Sequence, residues 1–76
     1  MPRRVYPDLL TFFKDQKDRQ TGLTAQDVAD ELDISYSYMS MLKWGAREPD
    51  LELALRIAAR CNVPLESLIR RQRQAS

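Results

Sequence analysis

Five residues set the question that this sequence poses: Tyr36, Ser37, Ser40, Met41 and Trp44. Drawn as a helix at about a hundred degrees per residue, they gather on one side, while Met39 and Leu42 point to the other. The outer side thus offers two aromatic rings, a thioether and hydroxyl groups, with Lys43 at its edge. A face that is merely solvated is normally rich in Lys and Glu. An apolar strip beside a basic residue has the composition of a contact surface, able to hydrogen-bond and to pack but not to do acid–base work. The chain has no histidine, one cysteine and two glycines. It therefore offers no zinc site, no histidine-based catalytic group and no glycine-rich phosphate loop. The expectation is a binding protein with no catalytic residues, metal or cofactor.

The segment that must position this face is TAQDVADELDISYSYMSMLKWG, residues 24–45. Ala25, Val28, Ala29 and Leu32 fall at i, i+3, i+4 and i+7, one apolar helical face. Thr24 suits its N-cap, and Asp27 three residues on makes a capping box in which Asp replaces Glu. Asp33 and Ile34 alone separate this pattern from the next, so the chain must turn sharply, with Asp33 in the left-handed region. Ser35 is the N-cap candidate of the second helix, and Gly45 suits the position just past its end.

This pair of helices resembles the helix-turn-helix of the Cro/cI (lambda-repressor-like, XRE) family. The matching residues are Ala29, Ile34, Met39 and Leu42, followed by Gly45, Pro49 and the run LELALRIAARCNVPLESLI. The likeness covers roughly residues 9–69. Asp33, Ala25 and Lys43 depart from it, standing where the family usually has Gly, often Gln and often Glu. The resemblance implies an all-α, five-helix DNA-binding domain with the helix-turn-helix at about residues 24–44.

Around this centre the chain divides into a basic arm at residues 1–6, the domain at 7–69 and a polar, basic tail at 70–76. Seventy-six residues hold one small core. Twelve basic against eleven acidic residues give a net charge of +1, so composition does not announce a nucleic-acid binder. The charges are segregated, however. Arg3, Arg4, Lys43, Arg47, Arg70, Arg71 and Arg73 stand apart from Asp27, Asp30, Glu31 and Asp33, which allows a basic face despite the small total. A first helix starts near Pro7 and Asp8, carries Leu9, Leu10, Phe12 and Phe13 inward, and runs to about Arg19. Within KDQKDRQ the pattern predicts a solvated face, and Gln20, Thr21 and Gly22 a turn. Asp50 opens a fourth helix whose inner face is read as Leu51, Ala54, Leu55, Ala58 and Cys61, with Ile57 beside it. Asn62 ends it, and Val63 and Pro64 lead into a short last helix carrying Leu65, Leu68 and Ile69. No apolar run has the length of a membrane span, and a single cysteine suits a reducing cytoplasm.

The resemblance places Tyr36, Ser37 and Met41 at the base-facing positions. None is Arg, Asn or Gln, so the expected readout leans on van der Waals fit and DNA shape. Thr24 and Gln26, at a helix N-terminus, are expected to meet phosphate, with Ser35, Ser40, Lys43, Trp44 and Arg47 adding to them. Thr24 and Ser35 also read as caps, Trp44 as a lid on the core, and Arg47 as a solvated loop residue. Arg3 and Arg4 are candidates for a DNA-contacting arm or a frayed terminus. Leu65, Leu68 and Ile69 are read as a dimer surface or as the closure of the core. The expected function is a transcriptional regulator, a repressor binding an inverted-repeat operator as a homodimer. The rival is an antitoxin-like module whose acidic patch and aromatic helix meet a protein partner, such as a toxin, while it also represses its own operon.

Overall fold

Four α-helices and one 3-10 turn make up the computed structural model, which describes residues 4–69: α1 (Leu9–Asp18), α2 (Ala25–Leu32), α3 (Tyr36–Trp44), α4 (Leu51–Cys61) and the turn Leu65–Ser67. No strand occurs among the described residues. The expected fifth helix is this single turn. Pro64 supplies no N–H, and the Ser67 hydroxyl and backbone N–H both bond back to the Pro64 carbonyl, which tightens the segment.

Each helix starts on a side chain that accepts an otherwise unpaired N–H. Asp8 accepts from Thr11 at 2.8 Å, Ser35 from Tyr38 at 3.1 Å and Asp50 from Leu53 at 2.9 Å. Asp8 is thus the N-cap of α1 rather than part of its first turn. At α2 the box is complete: Thr24 Oγ1 accepts from Asp27 N–H and Asp27 Oδ2 from Thr24 N–H. Such caps contribute about 1 kcal/mol each. The ends of α2, α3 and α4 are left-handed, at Asp33 (φ 61°), Gly45 (φ 78°) and Asn62 (φ 60°). After Asp33, the Ile34 N–H reaches back to the Ala29 carbonyl at 3.0 Å; after Gly45, the Ala46 N–H reaches Met41 at 2.9 Å. These paired bonds satisfy the last carbonyls and set the sharp turn between α2 and α3.

The core joins Leu9, Phe12 and Phe13 of α1 to Val28, Ala29 and Leu32 of α2, Met39 and Leu42 of α3, and one side of α4. That side is Leu53, Ala54, Ile57 and Cys61: Ala54 and Cys61 lie on the expected face with Ile57 beside them, whereas Leu53 replaces Leu51 and Leu55. Leu51 and Leu55 are each 52% exposed, because Leu53, Ile57 and Cys61 occupy the i, i+4, i+8 ridge that meets the bundle. Leu10 is likewise outward on α1. Burial pushes the Cys61 thiol up to about 11, which leaves it a small inert hydrophobe. Two residues read as peripheral are interior. Tyr6, assigned to the arm, is buried against Phe12 with ring centroids 5.2 Å apart, and its hydroxyl donates to Asp15 Oδ2 at 2.6 Å. Gln16, assigned to a solvated face, is buried, and its Oε1 accepts from the Thr21 hydroxyl at 2.8 Å.

Leu68 is 7% exposed and belongs to the core. Leu65 and Ile69 are half-buried and pack against it. Of the three residues named for a dimer surface, Leu68 therefore closes the core, since its side chain has almost no surface left to share. Arg3 and the tail at 70–76 lie outside the described residues.

Candidate nucleic-acid interface

The site is built on α3, and its orientation follows from what α3 buries. Met39 is fully buried and Leu42 nearly so, which turns the opposite side outward. Tyr36 and Ser37 are exposed there at the N-terminal end, Ser40 and Met41 are half-buried along the strip, and Trp44 is 65% exposed at the C-terminal end. Tyr38 is half-buried against the core. At that exposure Trp44 is not a lid. The Lys43 ammonium lies 5.5 Å from the Trp44 ring centroid and 5.9 Å from that of Phe13, so cation–π attraction holds it between α1 and α3. Arg47, in the loop after α3, is exposed and stands 5.9 Å from the Tyr38 ring. The outcome is a helix whose first turn offers hydroxyls and whose last turn and following loop offer cations.

The N-terminus of α2 faces the same neighbourhood. Thr24, Ala25, Gln26, Tyr36 and Lys43 together line one cleft, which brings both helix ends of the sequence expectation to one surface. Several of the expected groups have further duties there. Thr24 is spent on capping apart from its hydroxyl proton, and the Gln26 side-chain amide donates to Asp30 at 2.9 Å. Ser35 accepts the Tyr38 N–H and keeps its own proton to donate.

The acidic residues of α2 are taken up within the chain. Asp27 closes the cap, Asp30 holds Gln26, and Glu31 forms a two-pronged ion pair with Arg60 that ties α2 to α4. The Arg60 guanidinium holds the Glu31 carboxyl below its usual range. Asp15 is held low in the same way, first by the Tyr6 hydroxyl and then by Arg19 and Arg4. Arg4 stands 3.9 Å from Asp15, and its carbonyl accepts from the Asn62 amide, so the root of the arm is tied to α1 and to the end of α4. Neither Tyr6 nor Gln16 was found by periodicity, because each is polar and lies outside an apolar repeat. Among the described residues no cluster of His, Cys, Asp and Glu could hold a metal ion, and no helix is long and apolar enough to cross a membrane.

Comparison with known families agrees with this geometry. A family model described as helix-turn-helix matches residues 16–68, from the end of α1 through the turn after α4. No curated protein and no solved structure matches the chain. With the match spanning well over half of its length, the chain belongs to the helix-turn-helix family of XRE (Cro/cI-like) type, DNA-binding transcriptional regulators of lambda-repressor-like, all-α fold.

Proposed function

We propose that the protein is a sequence-specific repressor that binds an inverted-repeat operator as a homodimer, with α3 in the major groove. The observation that carries this reading is the exposed face of α3, hydroxyl-bearing at its start and flanked by Lys43 and Arg47 at its end. A helix docked by its N-terminal residues presents those residues to base edges, while neighbouring cations meet the backbone. Tyr36 and Ser37 donate to and accept from base edges, and Met41 and the Tyr36 ring pack on thymine methyls. Phosphates are held by Lys43, Arg47, Ser35, Ser40, Trp44 and the N-terminus of α2 at Thr24 and Gln26. Arg4, and Arg3 before it, extend the contact from the arm.

A single short reading helix distinguishes few base pairs, and a second copy multiplies affinity without new kinds of contact. Leu65 and Ile69, which keep part of their surface, are the apolar groups assigned to the two-fold contact. Selection of bound sites from a random duplex library tests the reading. It should return a pseudo-palindrome with half-site centres about 34–36 Å apart, one helical turn. Tight binding of a site without symmetry by a protein that stays monomeric would end the dimer model.

A further inference from the structure

On α4 the leucines that the bundle does not use form a surface of their own. Leu51 and Leu55 are each 52% exposed and stand four residues apart, with the exposed Ala59 four further on. The three make one ridge along the outer side of the helix. Leu53, Ala54, Ile57 and Cys61 fill the inner side, and neither Leu51 nor Leu55 belongs to the core or to the residues packed against it. The outer face of an amphipathic helix is normally polar, so this ridge has the composition of a contact.

The charges beside the ridge say what covers it. Glu52 and Arg56 form the next row of the helix surface and are both exposed. Their i, i+4 spacing allows an ion pair within the helix, yet neither has a charged partner among the described residues. Arg60, one turn further along that row, is held by Glu31 of α2 and so bounds the patch. A second α4 laid antiparallel, about a two-fold axis midway between Glu52 and Arg56, matches this pattern to itself. Glu52 of each copy then meets Arg56 of the other, and the leucines of the two copies alternate along the seam. A parallel arrangement would instead set acid on acid and base on base.

We infer that the outer face of α4 is a self-association surface, on which a second copy of the chain packs its own α4 antiparallel. A wholly acidic or wholly basic partner would oppose one of the two charges with its own sign, whereas a second copy pairs both. The contact is distinct from the one assigned to Leu65 and Ile69 and needs no DNA. Two different two-fold contacts on one chain join dimers in pairs. On the operator-binding reading, such a pair of dimers holds two operators at once.

Sedimentation equilibrium of the full chain without DNA, from micromolar to millimolar concentration, tests the contact. The unaltered protein should form dimers and then tetramers, and Leu55→Glu, with an unchanged helical spectrum, should stop at the dimer. Glu52→Arg and Arg56→Glu should each weaken the second step at least about tenfold, since like charges then face each other. An equimolar mixture of those two variants should restore it, because each supplies the charge that the other lacks. Failure of the mixture to restore what the single variants lose would refute the antiparallel pairing. Loss of the dimer in Leu55→Glu, with no loss in Leu65→Glu, would keep the α4 contact and overturn the assignment of Leu65 and Ile69. A Leu55→Glu protein that associates as the unaltered one does would overturn the α4 contact and leave that assignment standing. A protein that stays monomeric at every concentration would overturn both.

Discussion

Ala29→Leu places an isobutyl group at a fully buried position of α2. Ala29 is fully buried on α2, and its carbonyl accepts the Ile34 N–H that closes the turn into α3. The new side chain can enter only by separating α2 from α3 or by displacing Met39 and Val28, both fully buried. Overpacking of this kind costs about 1–3 kcal/mol. For a domain of this size each kcal/mol lowers the melting temperature by roughly 4–8 °C, so a mid-range cost corresponds to about 8–16 °C. Thermal denaturation followed by circular dichroism reads that shift directly. Affinity for duplex DNA, measured well below the lowered midpoint, should fall as well, because α3 is carried by the displaced turn. An unchanged midpoint together with unchanged affinity would refute the packing of α2 on α3 described above.

Other perturbations follow from the same contacts. Asp15 and Glu31 have folded-state pKa values held below the unfolded ones, so their contribution is complete above about pH 5 and is lost as pH falls through the folded values. Asp15→Asn with Glu31→Gln should flatten the acid side of the stability profile, and an unaltered acid limb would count against both partnerships. Asp33→Gly removes a Cβ from a left-handed residue and should raise stability by about 0.5 kcal/mol, the balance of relieved strain against unfolded-state entropy. A loss of stability in chemical denaturation would show that Asp33 does more than turn the chain. Leu68→Glu should cost at least about 2–5 kcal/mol, as for loss of a buried leucine, and unfold the domain. Leu65→Glu should leave the fold and weaken self-association in sedimentation, and a dimer unaffected by it would place the two-fold contact elsewhere.

The ends of α2, α3 and α4 were legible because each is written in local chemistry. Thr24, Ser35 and Asp50 are short acceptors before apolar periods, and Asp33, Gly45 and Asn62 tolerate positive φ. The phase of α4 was not legible. In LELALRIAARC only Glu52, Arg56 and Arg60 are charged, and the apolar residues on either side of that stripe leave two faces competing on pattern alone. Packing against the other helices chose Leu53 and Ile57 and left Leu51 and Leu55 outside. Tyr6 escaped notice for a different reason: its burial depends on Phe12 and Asp15, partners that periodicity does not report. Gln16 is the same case, since a buried amide becomes intelligible only with Thr21 beside it. The candidate site was read from α3 because that helix shows two unequal faces.

The claim that α3 reads bases is tested most directly by Tyr36→Ala, assayed on a selected operator and on a scrambled duplex across several salt concentrations. Tyr36 is 48% exposed, so its removal leaves the core intact. Loss of a base contact should cost about 1–3 kcal/mol on the operator and little on the scrambled duplex, with an unchanged salt slope and relaxed preference at one position of each half-site. Equal losses on both duplexes, or no loss on either, would contradict base reading through Tyr36 at the start of α3.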